Sequence, residues 1–376
     1  MNMTTTLARR AFVSGLLGGL LVLAGCGGSG NETPAGDTAK AGGDFTGAGA
    51  TFPAPIYAKW GSAYKTATGN ALNYQAIGSG AGIAQIKART VDFGATDAPM
   101  KPEELAAEGL VQFPAVIGAL VTIVNIPGIA DGQLKLTAPL IADIYAGKIT
   151  RWNDPAIVAV NPGLPLKPVP ITPVYRSDSS GTTAVFTAYM AKAAPNWTLG
   201  SGKTISWPVG SGGKGNDGVA GNVKNGVGTI GYVEYNFAHA NKLTMTRLAN
   251  ASGAFVAASP DGFVAAASQV DWGSAPGATV DMLNLPGAIT WPIVSATYIL
   301  VPQAPANPAQ TREALDFFGW AFENGAETAR SLGYVPLPAT AIARARSEWA
   351  RIGTPAGTAT AAVTAPAPAA APTPAA

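Results

Sequence analysis

Apolar positions along this chain recur either every second residue or every third to fourth, and the changes between these rhythms outline its elements. Phe45–Ala50 reads as a first strand. Pro53 and Pro55 suit the opening of a helix, on which Ile56, Trp60 and Tyr64 recur along one face. Ala71–Ile77 reads as a strand, Ala81–Arg89 as a helix, Val91–Ala95 as a short strand, and Pro102–Glu108 as a helix with acids in its first turn. Gln112–Asn125 is a long apolar run in strand form. Helices follow over Ala138–Ala146 and Thr182–Ala193, with the strand Ile171–Tyr175 between them. Thr229–Tyr235 is a strand and Asp261–Gln269 a helix. Trp291–Val301 is a second long apolar strand, and helices over Thr311–Ser331 and Ala339–Arg351 close the pattern. Strands alternating with helices give an α/β class with a parallel or mixed sheet covered on both faces.

The ends follow neither rhythm. Arg9 and Arg10 precede an apolar run from Ala11 to Leu23, which stops at Leu23-Ala24-Gly25-Cys26. A charged region, a short apolar region and small residues make residues 1–25 an export signal, too short to span a bilayer comfortably. Residues 26–43 are rich in Gly, Ser, Thr, Ala and Asp and read as a tether. Residues 353–376 contain only Ala, Thr, Pro, Val and Gly and are expected to be disordered or polyproline-like. The body, 44–352, exceeds what one core usually supports, so two lobes are expected. With the two long strands as crossings, lobe I takes 44–117 and 294–352, and lobe II takes 118–293.

Charge narrows the partners. The chain carries 24 basic and 22 acidic residues. Removing 1–25 takes away Arg9 and Arg10 and no acid, so 24 − 2 leaves 22 against 22. A neutral mature chain argues against nucleic acid, whose phosphate backbone demands basic patches. It does not argue against a small anion held by local dipoles.

Polar motifs stand where strands run out into helices: Gly49-Ala50-Thr51-Phe52-Pro53, Gly78-Ser79-Gly80-Ala81-Gly82, Asp92-Phe93-Gly94-Ala95-Thr96-Asp97 and Arg176-Ser177-Asp178-Ser179-Ser180-Gly181-Thr182. A helix N-terminus offers unpaired N–H groups and the positive end of its dipole, so these places suit an oxyanion. Thr51 and Ser79 each precede an expected helix, and Ser180, Gly181 and Thr182 open another. Arg176 ends a strand, in position for bidentate contact, with Asp178 two residues on to hold it. The alternative for Arg176 and Asp178 is a surface ion pair. A carboxylate at Asp97 would repel an anion unless the anion brings a proton. Near neutral pH phosphate carries one and sulfate does not, so Asp97 would admit the first and penalise the second. Its alternative is a cap on a helix beginning near Pro99. The clusters at Gly47–Phe52, Gly78–Ile83 and Gly210–Gly215 each miss a residue that a nucleotide-binding loop requires.

With these residues the chain resembles the periplasmic phosphate-binding proteins that feed ABC-type phosphate importers. The likeness runs from Phe45 to about Arg351 and includes Gly47–Ala58, Thr90–Pro99, Gln112–Gly128, Gly213–Gly218 and Gly228–Tyr235. Leu-Ala-Gly-Cys is likewise similar to a bacterial lipobox, which implies cleavage before Cys26 and a lipid on its sulfur. The resemblance implies the two-lobed periplasmic-binding-protein (Venus-flytrap) fold, with mixed sheets flanked by helices and two crossing hinge strands. It implies phosphate contacts from Thr51, Phe52, Ser79 and Asp97 on lobe I and from Arg176, Ser180, Gly181 and Thr182 on lobe II, with Asp178 orienting Arg176. It further implies a monomer without cofactor or metal, exported and lipid-anchored, delivering phosphate to an ABC-type permease. Two departures stand out: Ser179 stands where the family usually has Gly, and Gly80-Ala81 replaces a Ser-Gly pair.

An enzyme is the first rival reading. With His239 the only histidine and Cys26 the only cysteine, a His-rich metal site and a Cys nucleophile are both out of reach, which leaves an enzyme a carboxylate-only metal site. The second rival is a binding protein for another protonated oxyanion, such as arsenate or a phosphonate. The third is a phosphate-sensing surface protein.

Overall fold

The computed structural model describes residues 43–274 and 279–353. The expected export signal, lipidated Cys26, tether and C-terminal tail fall on 1–42 and 354–376, outside the described residues. None of the described helices is long and apolar enough to cross a membrane.

The chain opens with β1 (Phe45–Gly49), α1 (Ala54–Thr68), β2 (Leu72–Ala76), α2 (Ser79–Lys87), β3 (Phe93–Thr96), α3 (Pro102–Ala107) and the long β4 (Leu110–Val124). It continues through β5 (Lys135–Leu136), α4 (Ala138–Tyr145), α5 (Pro155–Val160), β6 (Thr172–Arg176), α6 (Gly181–Ala193), β7 (Ser211–Gly213), α7 (Gly215–Asn225), β8 (Thr229–Glu234) and α8 (Tyr235–Ala240). β9 (Thr244–Met245), β10 (Arg247–Ala249), β11 (Phe255–Val256) and α9 (Pro260–Ala267) lead to β12 (Val294–Pro302), α10 (Pro308–Asn324), α11 (Ala326–Ser331) and α12 (Ala339–Trp349).

One mixed sheet runs β2-β1-β3-β12-β4-β8-β6-β7, with β9 beside β4, and a small sheet runs β11-β10-β5. β4 belongs to both halves of the large sheet. Its residues Leu110–Ala119 pair with β12, and Leu120–Val124 pair with β8. All of β4 is buried, as a strand covered on both faces must be. The chain returns through Trp291, whose indole donates to the Leu120 carbonyl at 2.8 Å, and Ile293, whose carbonyl accepts from Leu120 N–H at 2.9 Å. The first half carries an aromatic core in which Phe317 and Phe318 of α10 meet Phe45, Tyr57, Tyr64, Phe93 and Phe113. The second half is built on Phe186 stacked at 4.1 Å on Tyr232, beside Tyr145 and Trp207. Each fully buried ring among them contributes about 1.5–3 kcal/mol, and Trp207, partly exposed, less.

Several elements differ from the sequence pattern. α2 starts at Ser79, so Ser79 lies inside the helix rather than before it. The single helix expected over Thr311–Ser331 is two, split at Gly325, whose carbonyl accepts from the Trp60 indole at 3.0 Å. α7 has no counterpart in the expectations: three glycines within it mask a buried face of Asn216, Val219, Ala220 and Val223. α3 begins at Pro102 with Lys101 before it, so Asp97 caps no helix.

Candidate functional site

The strand ends and helix starts named by the sequence meet where the two halves of the sheet face each other. β1 delivers Thr51 and Phe52, α2 begins with Ser79, and β3 ends one residue before Asp97. β6 ends at Arg176, and Ser180 caps α6 with Gly181 and Thr182 as its first residues. All eight are nearly or wholly buried.

Arg176 is not a surface ion pair. Its side chain is 1% exposed and that of Asp178 is 13% exposed. Nε donates to Asp178 Oδ1 at 2.8 Å and Nη2 to Oδ2 at 2.5 Å, while Nη1 donates to Thr182 Oγ1 at 3.0 Å. Gly215 N–H also donates to Asp178 Oδ1, at 3.0 Å. Burial alone would raise the Asp178 carboxyl, but the bonds and charge of Arg176 outweigh it and hold it below the usual carboxylate value. A guanidinium has five N–H groups. Three are committed, which leaves one on each terminal nitrogen.

The hydroxyls are used as acceptors by the protein itself. Thr51 Oγ1 accepts from Asn216 N–H at 3.2 Å and from its Nδ2 at 2.8 Å. Thr182 Oγ1 accepts from Arg176 and, at 3.3 Å, from Asn216 Nδ2. Ser79 Oγ accepts from Asp97 N–H at 3.3 Å, and Ser180 Oγ accepts from Thr183 N–H at 3.0 Å. A hydroxyl whose lone pairs are engaged still has its proton to donate. The Ser180 cap takes one of the first N–H groups of α6, and those of Gly181 and Thr182 stay at the open end of the helix.

Among these donors stands one acceptor. Asp97 Oδ1 accepts from Thr297 Oγ1 at 2.9 Å, but Oδ2 is buried with no partner among the described residues. Burial pushes this carboxyl up to about 7, against the opposing pull of Thr297, Arg176, Ser79 and Lys203. A Cβ at Gly181 would stand 2.5 Å from Asp97 Oδ2, so only glycine lets α6 approach this closely.

The halves also touch directly. Gly80 N–H donates to the Ser179 carbonyl at 2.9 Å. A Cβ at Gly80 would fall on the Ser179 Oγ and Cβ. Gly80 and Ser179 are thus fitted to each other: the side chain that one loop lacks is supplied by the other.

Asn216 escaped the sequence reading. It is wholly buried at the start of α7, holds Thr51 and Thr182 together, and is itself oriented by Glu234 N–H, which donates to its Oδ1 at 3.0 Å. Its signal was the spacing Asn216, Val219, Val223 in a glycine-rich run.

A family profile described as the PBP superfamily domain matches residues 34–324. Over 307 residues the chain is 50% identical to the phosphate-binding protein PstS of Haemophilus influenzae, covering 81% of this chain and 92% of that one. The chain belongs to the PstS family. It is also 47% identical to the phosphate-binding protein PstS of Xylella fastidiosa, covering 81% of this chain and 85% of that one. Among solved structures, it is similar to a high-affinity periplasmic phosphate-binding protein (PfluDING) bound with phosphate. That match has a TM-score of 0.66 and 23% identity, over 81% of this chain and 93% of the other. A phosphate-binding protein from Stenotrophomonas maltophilia gives a TM-score of 0.61 at 20% identity, with coverage of 81% and 93%. These likenesses speak for the fold, the two-lobed periplasmic-binding-protein architecture that the sequence resemblance implied.

Among the described residues, no group of three or more His, Cys, Asp or Glu is placed to hold a metal ion. His239 lies exposed on α8, stacked on Tyr235.

Proposed function

We propose that this chain binds inorganic phosphate in the cleft between its lobes and delivers it to an ABC-type permease for import. Lobe I comprises 44–117 and 294–352, and lobe II comprises 118–293. Phosphate takes the hydroxyls of Thr51, Ser79, Ser180 and Thr182, the N–H groups of Phe52, Gly181 and Thr182, and the two uncommitted N–H groups of Arg176. Asp178 holds Arg176 in that orientation.

One observation carries the reading. The hydroxyls of Thr51, Ser79, Ser180 and Thr182 are each occupied as acceptors, so they face the cleft as donors, and above about pH 7 the ionised Asp97 sets an open acceptor, Oδ2, among them. A tetrahedral anion that still bears a proton satisfies both sides. A fully ionised one leaves Asp97 facing an oxygen with nothing between them.

The donors come from both lobes, so only the closed form satisfies the anion, and phosphate stabilises closure by binding that form better. The chain acts as a monomeric binding protein rather than an enzyme, exported and held to the membrane through a lipid on Cys26. Isothermal titration of Arg176→Met tests the site. Phosphate affinity should fall at least about 30-fold with the fold retained, as for loss of one partner of a buried charge pair. An unchanged affinity would remove Arg176 from the site.

A further inference from the structure

The segment that presents Thr51 and Phe52 is tied to lobe II through a buried pair outside the phosphate contacts. Tyr334 OH lies 2.7 Å from the Phe52 carbonyl and 3.2 Å from Glu234 Oε2. A phenol has one proton. The Phe52 carbonyl can only accept, and it makes the shorter contact, so the phenol proton belongs there. The approach to Glu234 then sets two oxygen lone pairs against each other, unless the carboxyl carries a proton and donates it.

The surroundings of Glu234 agree. It is wholly buried, at the end of β8 where α8 begins. Oε2 also accepts from Asn236 N–H at 3.0 Å, and Oε1 is buried with no partner among the described residues. An ionised carboxylate tolerates such a bare oxygen poorly. Among the described residues no lysine, arginine or histidine pairs with Glu234. The groups facing it are the Asn236 and Phe237 amides of α8, Tyr235 on the same helix, Asn216 of α7, Tyr334 and the Asp97 carboxyl, with Tyr57 acting on Tyr334 in turn. Burial raises the Glu234 carboxyl well above its usual value and Asp97 pushes it the same way, against weaker opposition from Asn236 and Tyr334.

We propose that Glu234 is a neutral carboxylic acid that donates to Tyr334, and that this pair is a positioning device for the Phe52 end of the phosphate site, lost when the carboxyl ionises. The proposal rests on the phosphate reading for its effect on binding, but not for the proton itself. In the closed form the carboxyl binds its proton more tightly than in water. The contribution to closure is therefore full in acid and declines as pH rises through the closed-form value.

Infrared difference spectra of the parent against Glu234→Gln test the proton directly. A carboxylic-acid carbonyl band should appear in the parent-minus-variant difference at neutral pH, beyond the band that Asp97 gives in both proteins. Its absence from that difference overturns the proposal, whatever phosphate does. Both contacts of Glu234 fall on Oε2, so the side-chain amide in Glu234→Gln keeps only one of them: with its nitrogen there it donates to Tyr334 and leaves the Asn236 N–H without its acceptor. The ratio of parent to variant Kd for phosphate should therefore start from a fixed offset of up to about tenfold at neutral pH and climb in alkali. Titration of phosphate is common to both proteins and cancels in that ratio, and repeating the pair in an Asp97→Asn background removes the titration of Asp97, which is coupled to Glu234. A ratio constant with pH refutes the switch. Tyr334→Phe should weaken phosphate binding about three- to tenfold, and unchanged binding in that variant refutes the positioning role.

Discussion

Gly80→Ser is the substitution whose outcome the structure fixes most tightly. The new Cβ would overlap Ser179 Oγ and Cβ and come within 3.3 Å of the Ser179 carbonyl. Rotating Ser179 about χ1 moves Oγ but not Cβ, so relief requires the two loops to separate. Separation breaks the 2.9 Å bond from Gly80 N–H to Ser179 and pulls the start of α2 away from Asp178. Overpacking of this kind costs about 1–3 kcal/mol. The contact exists only when the lobes meet, so the cost falls on closure, as about 5- to 150-fold in Kd at 25 °C. The phosphate-free melting temperature should hardly move. Ser179→Gly alone removes no cleft contact and should stay within a few-fold of the parent. The double variant removes the overlap and should recover most of the loss, a coupling of the same about 1–3 kcal/mol. Titration calorimetry on the four proteins reads all of this. Parent-like binding by Gly80→Ser, or a double variant no better than Gly80→Ser, would refute the account of this fit.

Two further predictions concern Asp97. Asp97→Asn replaces the open acceptor with an amide that can donate, so at about pH 8, where the parent carboxyl is ionised, sulfate affinity should rise from undetectable to measurable. Sulfate that stays silent in calorimetry would sink the proton-reading argument. The same variant should change the pH dependence of stability. The folded-state carboxyl titrates at about 7 against an ordinary 3.8. The folded protein therefore keeps a proton that the unfolded chain gives up, and stability falls as pH rises from about 4 to about 7. Urea unfolding without phosphate at the two ends of that window should show a shallower fall in Asp97→Asn. Glu234, shifted in the same direction, sustains part of the slope, and an identical slope in parent and variant would contradict the raised value.

The alternation of strands and helices was legible because β4 and the faces of α1 and α10 are dictated by burial, which periodicity records. The residues proposed for the anion site were legible as motifs because each stands at a strand end or helix start, where a polar side chain has a local reason to be. Asn216 was not. Its role depends on Thr51, 165 residues away, and on α7, a helix whose glycines hide its apolar face. Glu234 was hidden for a related reason. Read alone it ends an apolar strand, and only the fold brings Tyr334 from 100 residues on to face it. The split at Gly325 likewise depends on Trp60, 265 residues away. Asp97 was ambiguous between a cap and an open acceptor, and the start of α3 at Pro102 separates the two.

The measurement that bears most directly on the central claim is isothermal titration of the protein, stripped of bound ligand, with phosphate and with sulfate. At about pH 8, where Asp97 is ionised and phosphate still carries a proton, the donor shell closed around one open carboxylate oxygen predicts tight one-to-one phosphate binding and no heat from sulfate. Equal heats from the two anions, or a folded protein that binds neither, would contradict it.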